Sequence, residues 1–214
     1  MVGLGLWAAN AQAGTKVSVV RGNVVCHDAG ATHILSHDGK ADEAVLSSDG
    51  YTVAFIRVLA KQVPYEIFTK RAELWLGDCR AGTAKVLLRS HFTLVDASRN
   101  LGDPGNLHFS PDGNVVYFTA SAAPTDGAVH RVDVRTGAEQ FVAYGGGDLH
   151  VFRDGPYRGD ILTRQHTCHE TPGCDYPFYI FTPAGHQVMM LPTSAKWDDK
   201  ALATWLRSTR SHVQ

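Results

Sequence analysis

Apolar residues along this chain come in short runs broken by glycine. The runs alternate or stay continuously apolar, as half-buried and buried strands do, and lack the wider spacing of a helix. Two kinds of hairpin recur. The first centres on Asp-Gly: "LSSDGYTVAFI" around Asp49 and Gly50 and "FSPDGNVVYFT" around Asp112 and Gly113 align at every turn position, and "VFRDGPYRGDILT" around Asp154 and Gly155 is a looser third copy. The second kind turns at a later glycine: "NVVCHDAGATHILS" at Gly30, "LWLGDCRAGTAKVLL" at Gly82, "VHRVDVRTGAEQFVA" at Gly137 and "YIFTPAGHQVMML" at Gly185. Glycine adopts the positive φ that such turns need, so its recurrence marks equivalent hairpins.

The order is one second-type hairpin, then the two types in alternation three times. The later glycines return at intervals of roughly 50 residues, which suits a four-stranded blade with its loops. A four-stranded sheet cannot bury its apolar face alone, so the blades must pack face to face. The pattern predicts an all-β, propeller-like array of about three and a half to four antiparallel blades. Three are complete and the first is a half-blade. Residues 14–191 would form this domain. From Pro192 the spacing changes: Trp197, Ala201, Leu202, Trp205 and Leu206 fall on one helical stripe, with Asp198 and Asp199 in the first turn and Arg207 and Arg210 toward the end. Residues 192–214 are therefore expected to form an amphipathic helix and tail that cover an open flank of the array. Two inserts break the repeat, Leu59 to Glu73 and Ser90 to Gly105. Long loops on a rigid scaffold are where binding resides.

Composition narrows the partners. The 214 residues are 44% hydrophobic and 19% charged, and 20 basic side chains balance 21 acidic ones. That balance offers no strong field for nucleic acid or an anionic membrane, and neither is expected as a partner. Residues 1–13 hold a short apolar run ending in Ala11-Gln12-Ala13, the small-x-small pattern of a signal peptidase site, although no basic residue opens it. The run is too short to span a bilayer as a helix. A signal peptide cut before Gly14, and hence a periplasmic or secreted protein, is the expectation. Four cysteines in an exported chain favour disulfides.

The Ser-Pro-Asp-Gly turn at Ser110 to Gly113, the strand "NVVYFT" after it and the "VHRVDVRTG" strand with Thr136 and Gly137 resemble the repeat of the TolB-like β-propellers. Ser47 to Gly50 lack the proline. The resemblance covers most of residues 17 to 191 and rests on a structural turn, so it implies fold above all. It further implies sugar, peptide or protein binding in the periplasm, or a gating role beside a peptidase domain. At 214 residues the chain is expected to have room for neither the separate N-terminal domain of full TolB nor a hydrolase domain.

The densest chemical cluster is "RQHTCHETPGC", with His166, Cys168, His169, Glu170 and Cys174. Two histidines and two thiolates could hold zinc. Yet Cys168 and Cys174 flank a Pro-Gly turn between antiparallel strands, which favours a disulfide clamp, and no metal or other cofactor is expected. Cys26 and Cys79 are a second candidate pair if neighbouring hairpins stand close enough. No nucleophile elbow, zinc-protease motif or phosphate-binding loop occurs. Asp49, Asp112 and Asp154 belong to turns. Gly50, Asp112, Gly113, Gly137 and Gly185 are read as structural. Tyr65, Phe68, Tyr157 and Tyr176, with His166 and His169, are the candidate binding residues, because loop aromatics offer contact area with few rotors. The expected function is a non-catalytic exported module that binds another protein through one propeller face and its loops; an antitoxin-like role is one form of it. The competing reading is a small periplasmic hydrolase or lyase in which His150, His166 and His169 meet a carboxylate at the propeller mouth.

Overall fold

The computed structural model describes residues 14–28, 30–60, 71–93, 96–122, 125–146, 148–168, 173–191 and 204–205. They form antiparallel sheets in chain order. The first has three strands, β1 (Lys16–Val20), β2 (Asn23–Asp28) and β3 (Ala31–Ile34). The second holds β4 (Ala41–Leu46), β5 (Thr52–Ala60), β6 (Arg71–Asp78) and β7 (Thr83–Arg89). The third holds β8 (Gly105–Phe109), β9 (Val115–Ala122), β10 (Thr125–Asp133) and β11 (Glu139–Tyr144). In the fourth, β12 (Leu149–Val151) and β13 (Ile161–Arg164) pair on to β16 (Phe178–Phe181) and β17 (Gln187–Met190). A separate hairpin, β14 (Thr167–Cys168) with β15 (Cys174–Asp175), is inserted between β13 and β16. The protein is a β-propeller array.

Each four-stranded sheet is a meander whose first strand is innermost, and β4, β8 and β12 lie side by side about the axis. Apolar clusters fill the spaces between sheets. Cys26 and Phe55 belong to the first space, Leu74, Phe109 and Phe118 to the second, and Tyr117, Val142, Ile161 and Phe181 to the third. Side chains alternate across each strand, so one strand feeds two clusters: Phe118 points one way and Tyr117 the other. Repetition extends to the contacts between sheets. Gly82 lies against His33 of β3, Gly137 against Leu87 of β7 and Gly185 against Val142 of β11. Each turn between a third and a fourth strand thus abuts the outermost strand of the sheet before it.

That rule places β3 in the outermost position. The first sheet therefore lacks an innermost strand among the described residues, and it has one strand more than the half-blade read from the sequence. The extra strand is β1, joined to β2 by a two-residue turn at Arg21 (φ 51°) and Gly22 (φ 73°). Arginine at the first turn position conceals what Asn-Gly would announce.

Most of the segment read as a C-terminal helix lies outside the described residues, as does the expected signal peptide at 1–13. Of that C-terminal segment, Thr204 and Trp205 are described. Trp205 packs on the far face of the fourth sheet, against the cluster of Phe152, Leu162, Ile180 and Leu191, and its ring stacks at 6.4 Å on Tyr157. The flank is thus covered at that point. Among the described residues no helix is long and apolar enough to cross a membrane.

Candidate functional site

The meander order decides what each end of the array can carry. Turns from first to second strand and from third to fourth strand share one end, the turn end. Connections from second to third strand and crossovers to the next sheet share the other, the loop end. At the turn end the chain reverses tightly around Gly30, Gly50, Gly82, Gly113, Gly137 and Gly185, all at positive φ. The Asp side chains finish these turns: Asp49 accepts from the Tyr51 amide at 2.8 Å and the Thr52 amide at 2.9 Å, and Asp112 accepts from the Ser110 hydroxyl at 2.6 Å. The Ser110 hydroxyl first, with Asn114, holds the Asp112 carboxyl below its ordinary range against the opposing effect of burial. Acids so engaged serve the backbone.

At the loop end lie the departure of β5 at Ala60 and the return of β6 at Arg71, the crossover after Arg89, and the whole β14–β15 hairpin. Exposed apolar side chains concentrate there too. Seven large hydrophobics are exposed among the described residues. Six of them, Val20, Ile34, Leu59, Tyr144, Tyr176 and Met190, sit at or just beyond strand ends on this side, whereas Val188 lies within the outermost strand β17. Val20, Ile34 and Tyr144 end their strands and Leu59 stands one residue before the end of β5, each on a strand that runs toward the loop end. Tyr176 is among the loop aromatics expected from the sequence; Tyr144 is not.

The β14–β15 hairpin is the best defined part of this end. Cys168 is paired opposite Cys174 and bonded to it. The Gln165 amide donates to the Pro177 carbonyl at 3.0 Å, and the Gln165 side chain donates to the Tyr144 carbonyl at 2.6 Å, tying the hairpin base to the third sheet. His166 lies flat on Tyr176, with ring centroids 4.9 Å apart and planes 8° apart, and its Nε2 stands 3.2 Å from Cys168 Sγ. Arg164 reaches over Tyr176 and Phe178 at 5.8 and 5.7 Å and pairs with Asp148 at 2.8 Å. The result is a presented patch of two aromatic rings, an imidazole and a guanidinium.

The other named residues fall elsewhere. Tyr65, Phe68 and His169 lie outside the described residues. Tyr157 belongs to the connection from β12 to β13, at the turn end, where it packs on Phe152 and Trp205 and points its hydroxyl at Met189 Sδ, 3.6 Å away. His150 lies on innermost strand β12, edge-on to Phe152 at 5.2 Å, while His166 follows the end of β13. His150 neighbours His108. Burial first, then the charges of His150 and Arg153, hold the His108 imidazole below its ordinary pKa, so it is neutral at physiological pH.

Two buried polar groups went unread in the sequence. Glu73 on β6 is almost wholly buried and its carboxylate is saturated: Arg57 at 3.2 Å, Arg89 at 2.6 Å and the Trp75 indole at 2.9 Å all donate to it. His130 on β10 is fully buried between Phe118 and Phe141, with Nδ1 2.7 Å from Glu139 and Nε2 lacking a partner. Apart from Trp75, which shares β6 with Glu73, their partners come from other strands, so local sequence carries little sign of them. Both are structural: neither reaches an open surface where a substrate could meet it.

No family model matches the sequence, and no curated protein does. Solved structures do match. A tricorn protease is similar over 84% of this chain and 16% of its own (TM-score 0.59, 15% identity). TolB from Acinetobacter baumannii is similar over 81% of this chain and 40% of its own (TM-score 0.51, 19% identity). The β-propeller domain of the Trilobed protease from Pyrococcus furiosus is similar over 78% and 49% (TM-score 0.51, 14% identity). The likeness is one of fold. The fold is that of TolB-like propellers, and the chain spans less than half the length of each of these proteins.

Proposed function

We propose that this chain is an exported, non-catalytic module that binds another protein at the loop end of its propeller array. The observation that carries the reading is the gathering of exposed apolar side chains at that end, with Tyr176, Tyr144 and Leu59 beside the long connections. Large rigid aromatics flanked by arginine are the side chains that anchor protein partners. The scaffold beneath is closely packed, so the patch is preorganised and little ordering entropy is lost on binding. Two disulfides fit an oxidising compartment, which supports the periplasm or the exterior as its location. Tyr65, Phe68 and His169 would add to this surface, because the connections that hold them leave the array at its loop end. Tyr157 would not, being packed at the other.

The hydrolase or lyase reading has less support. Catalysis by histidine needs a base, its orienting group and a reacting atom within hydrogen-bond reach of one another. His150 and His166 occupy different levels of the fourth blade, and the carboxylates of the turns are engaged by backbone amides. A direct test is a pull-down from periplasmic extract with the intact protein and with Tyr176→Ala and Tyr144→Ala. A stoichiometric partner lost from both variants is the expected result. Equal recovery with all three proteins refutes the reading.

A further inference from the structure

The two disulfides differ in every respect that governs their chemistry. Cys26 and Cys79 are wholly buried between the first and second sheets. Cys168 and Cys174 are both exposed, on a two-stranded hairpin that projects from the loop end. Exchange requires in-line attack of a thiolate on a sulfur, so access decides which bond reacts. The Cys168–Cys174 bond is open to attack and Cys26–Cys79 is shielded.

The exposed pair has a third donor beside it. One nitrogen of His166 and the sulfurs of Cys168 and Cys174 all lie within 4.8 Å of one another. Tetrahedral zinc, with bonds of about 2.0–2.1 Å to nitrogen and about 2.3 Å to sulfur, needs its donors roughly 3.5–3.8 Å apart. His166 Nε2 already stands 3.2 Å from Cys168 Sγ, and opening the sulfur–sulfur bond lets the two sulfurs part within one hairpin. The ring is held the right way for a ligand. Tyr176 covers its face, 4.9 Å away and nearly parallel, so the in-plane lone pair of Nε2 points along the edge toward the sulfurs. Tyr176 thereby orients a ligand as well as presenting a surface.

We propose that the β14–β15 hairpin is a reduction-gated zinc site, with His166, Cys168 and Cys174 as ligands and a fourth position open to water. The reductant is a dithiol. Its first thiolate attacks one sulfur and its second resolves the mixed disulfide; the dithiol is oxidised to a disulfide while Cys168 and Cys174 receive two electrons and two protons. Zinc then binds the two thiolates and neutral His166, and the two thiol protons leave to solvent. The oxidised hairpin has no thiolate to offer and does not bind. The proposal does not depend on the protein-binding reading, because its readout is the metal alone.

The test uses the whole chain, reduced by a dithiol under native conditions, desalted without air, and titrated with Zn²⁺ and with Co²⁺. Two thiols are expected to appear, with Cys26–Cys79 intact. One equivalent of Co²⁺ should then give a thiolate charge-transfer band and Zn²⁺ should displace it. His166→Ala should weaken binding by roughly tenfold or more. Cys168→Ser with Cys174→Ser should abolish the band while the strand signal in circular dichroism persists, which separates loss of ligands from loss of fold. Release of no thiols or of four, equal binding before and after reduction, or indifference to His166→Ala would each overturn the proposal.

Discussion

Cys26 on β2 and Cys79, just past the end of β6, are bonded across neighbouring sheets, with Cα atoms 5.6 Å apart and both side chains wholly buried. The bond spans 53 residues and ties the three-stranded first sheet to the complete second one. Closing a loop of that length removes about 4 kcal/mol of chain entropy from the unfolded state. Replacing both residues with serine should lower the urea midpoint by a corresponding amount. Replacing Cys168 and Cys174, which close a much shorter loop, should cost about 2 kcal/mol or less. Equal losses from the two pairs would contradict this assignment of roles.

Repetition gives a second expectation. A Cβ at Gly185 would overlap the Val142 carbonyl of the preceding sheet, whereas one at Gly50 would meet open space, and both residues have positive φ. Gly50→Ala should cost roughly 1 kcal/mol from backbone conformation alone, and Gly185→Ala at least twice that. Gly113 is intermediate, since its Cβ would meet the Ser47 hydroxyl at 2.6 Å, a side-chain atom that can turn away. Chemical denaturation of the three variants checks the order; a reversed order would undo the packing rule.

These turns were legible because glycine at positive φ is a local requirement that leaves a mark wherever the hairpin recurs. Asp49-Gly50 and Asp112-Gly113 announced their hairpins, and Gly30, Gly82, Gly137 and Gly185 set the blade period. Strand β1 escaped because Arg21 occupies a turn position where glycine or asparagine is the usual signal. The loop end was half legible. The inserts were seen, but Tyr144 and Leu59 become neighbours of Tyr176 in kind only once strand direction is followed through each sheet. Glu73 and His130 were invisible, since the arginines that neutralise Glu73 and the rings and carboxylate around His130 all stand on other strands.

The Glu73 cluster should respond unequally to its members. Arg89 is 72% exposed at its side chain while Glu73 is 4% exposed, so solvent already screens much of what Arg89 contributes. Arg89→Ala is expected to cost less than about 1 kcal/mol. Glu73→Ala removes the acceptor of the Trp75 indole and one of two from Arg57, which keeps Asp38 at 2.6 Å, and should cost about 2 kcal/mol. Thermal unfolding of the two variants distinguishes these values, and a comparable loss from each would be incompatible with the burial difference.

His130 supplies a pH dependence. Burial, only partly offset by Glu139, keeps its imidazole below its ordinary pKa, with His91 adding a smaller push the same way. An unfolded histidine takes up its proton near pH 6.5. Below that value the unfolded chain holds a proton that folded His130 refuses, so stability falls as pH falls, until the lower folded value is passed. His130→Phe keeps an aromatic ring between Phe118 and Phe141 and removes the titration. Its melting temperature should therefore drop less between pH 7 and pH 5 than that of the intact protein. Parallel curves would show that His130 does not carry this dependence.

The central claim is that partners meet the loop end, and site-specific photocrosslinking tests it most directly. A photoreactive residue is placed at Tyr176 on the loop end and, separately, at Asp49 on the turn end, and each protein is exposed in the periplasm of cells that make it. A discrete crosslinked protein adduct from position 176 and none from position 49 is the expected result. Adducts from position 49 alone, or from neither position with folded protein, would contradict it.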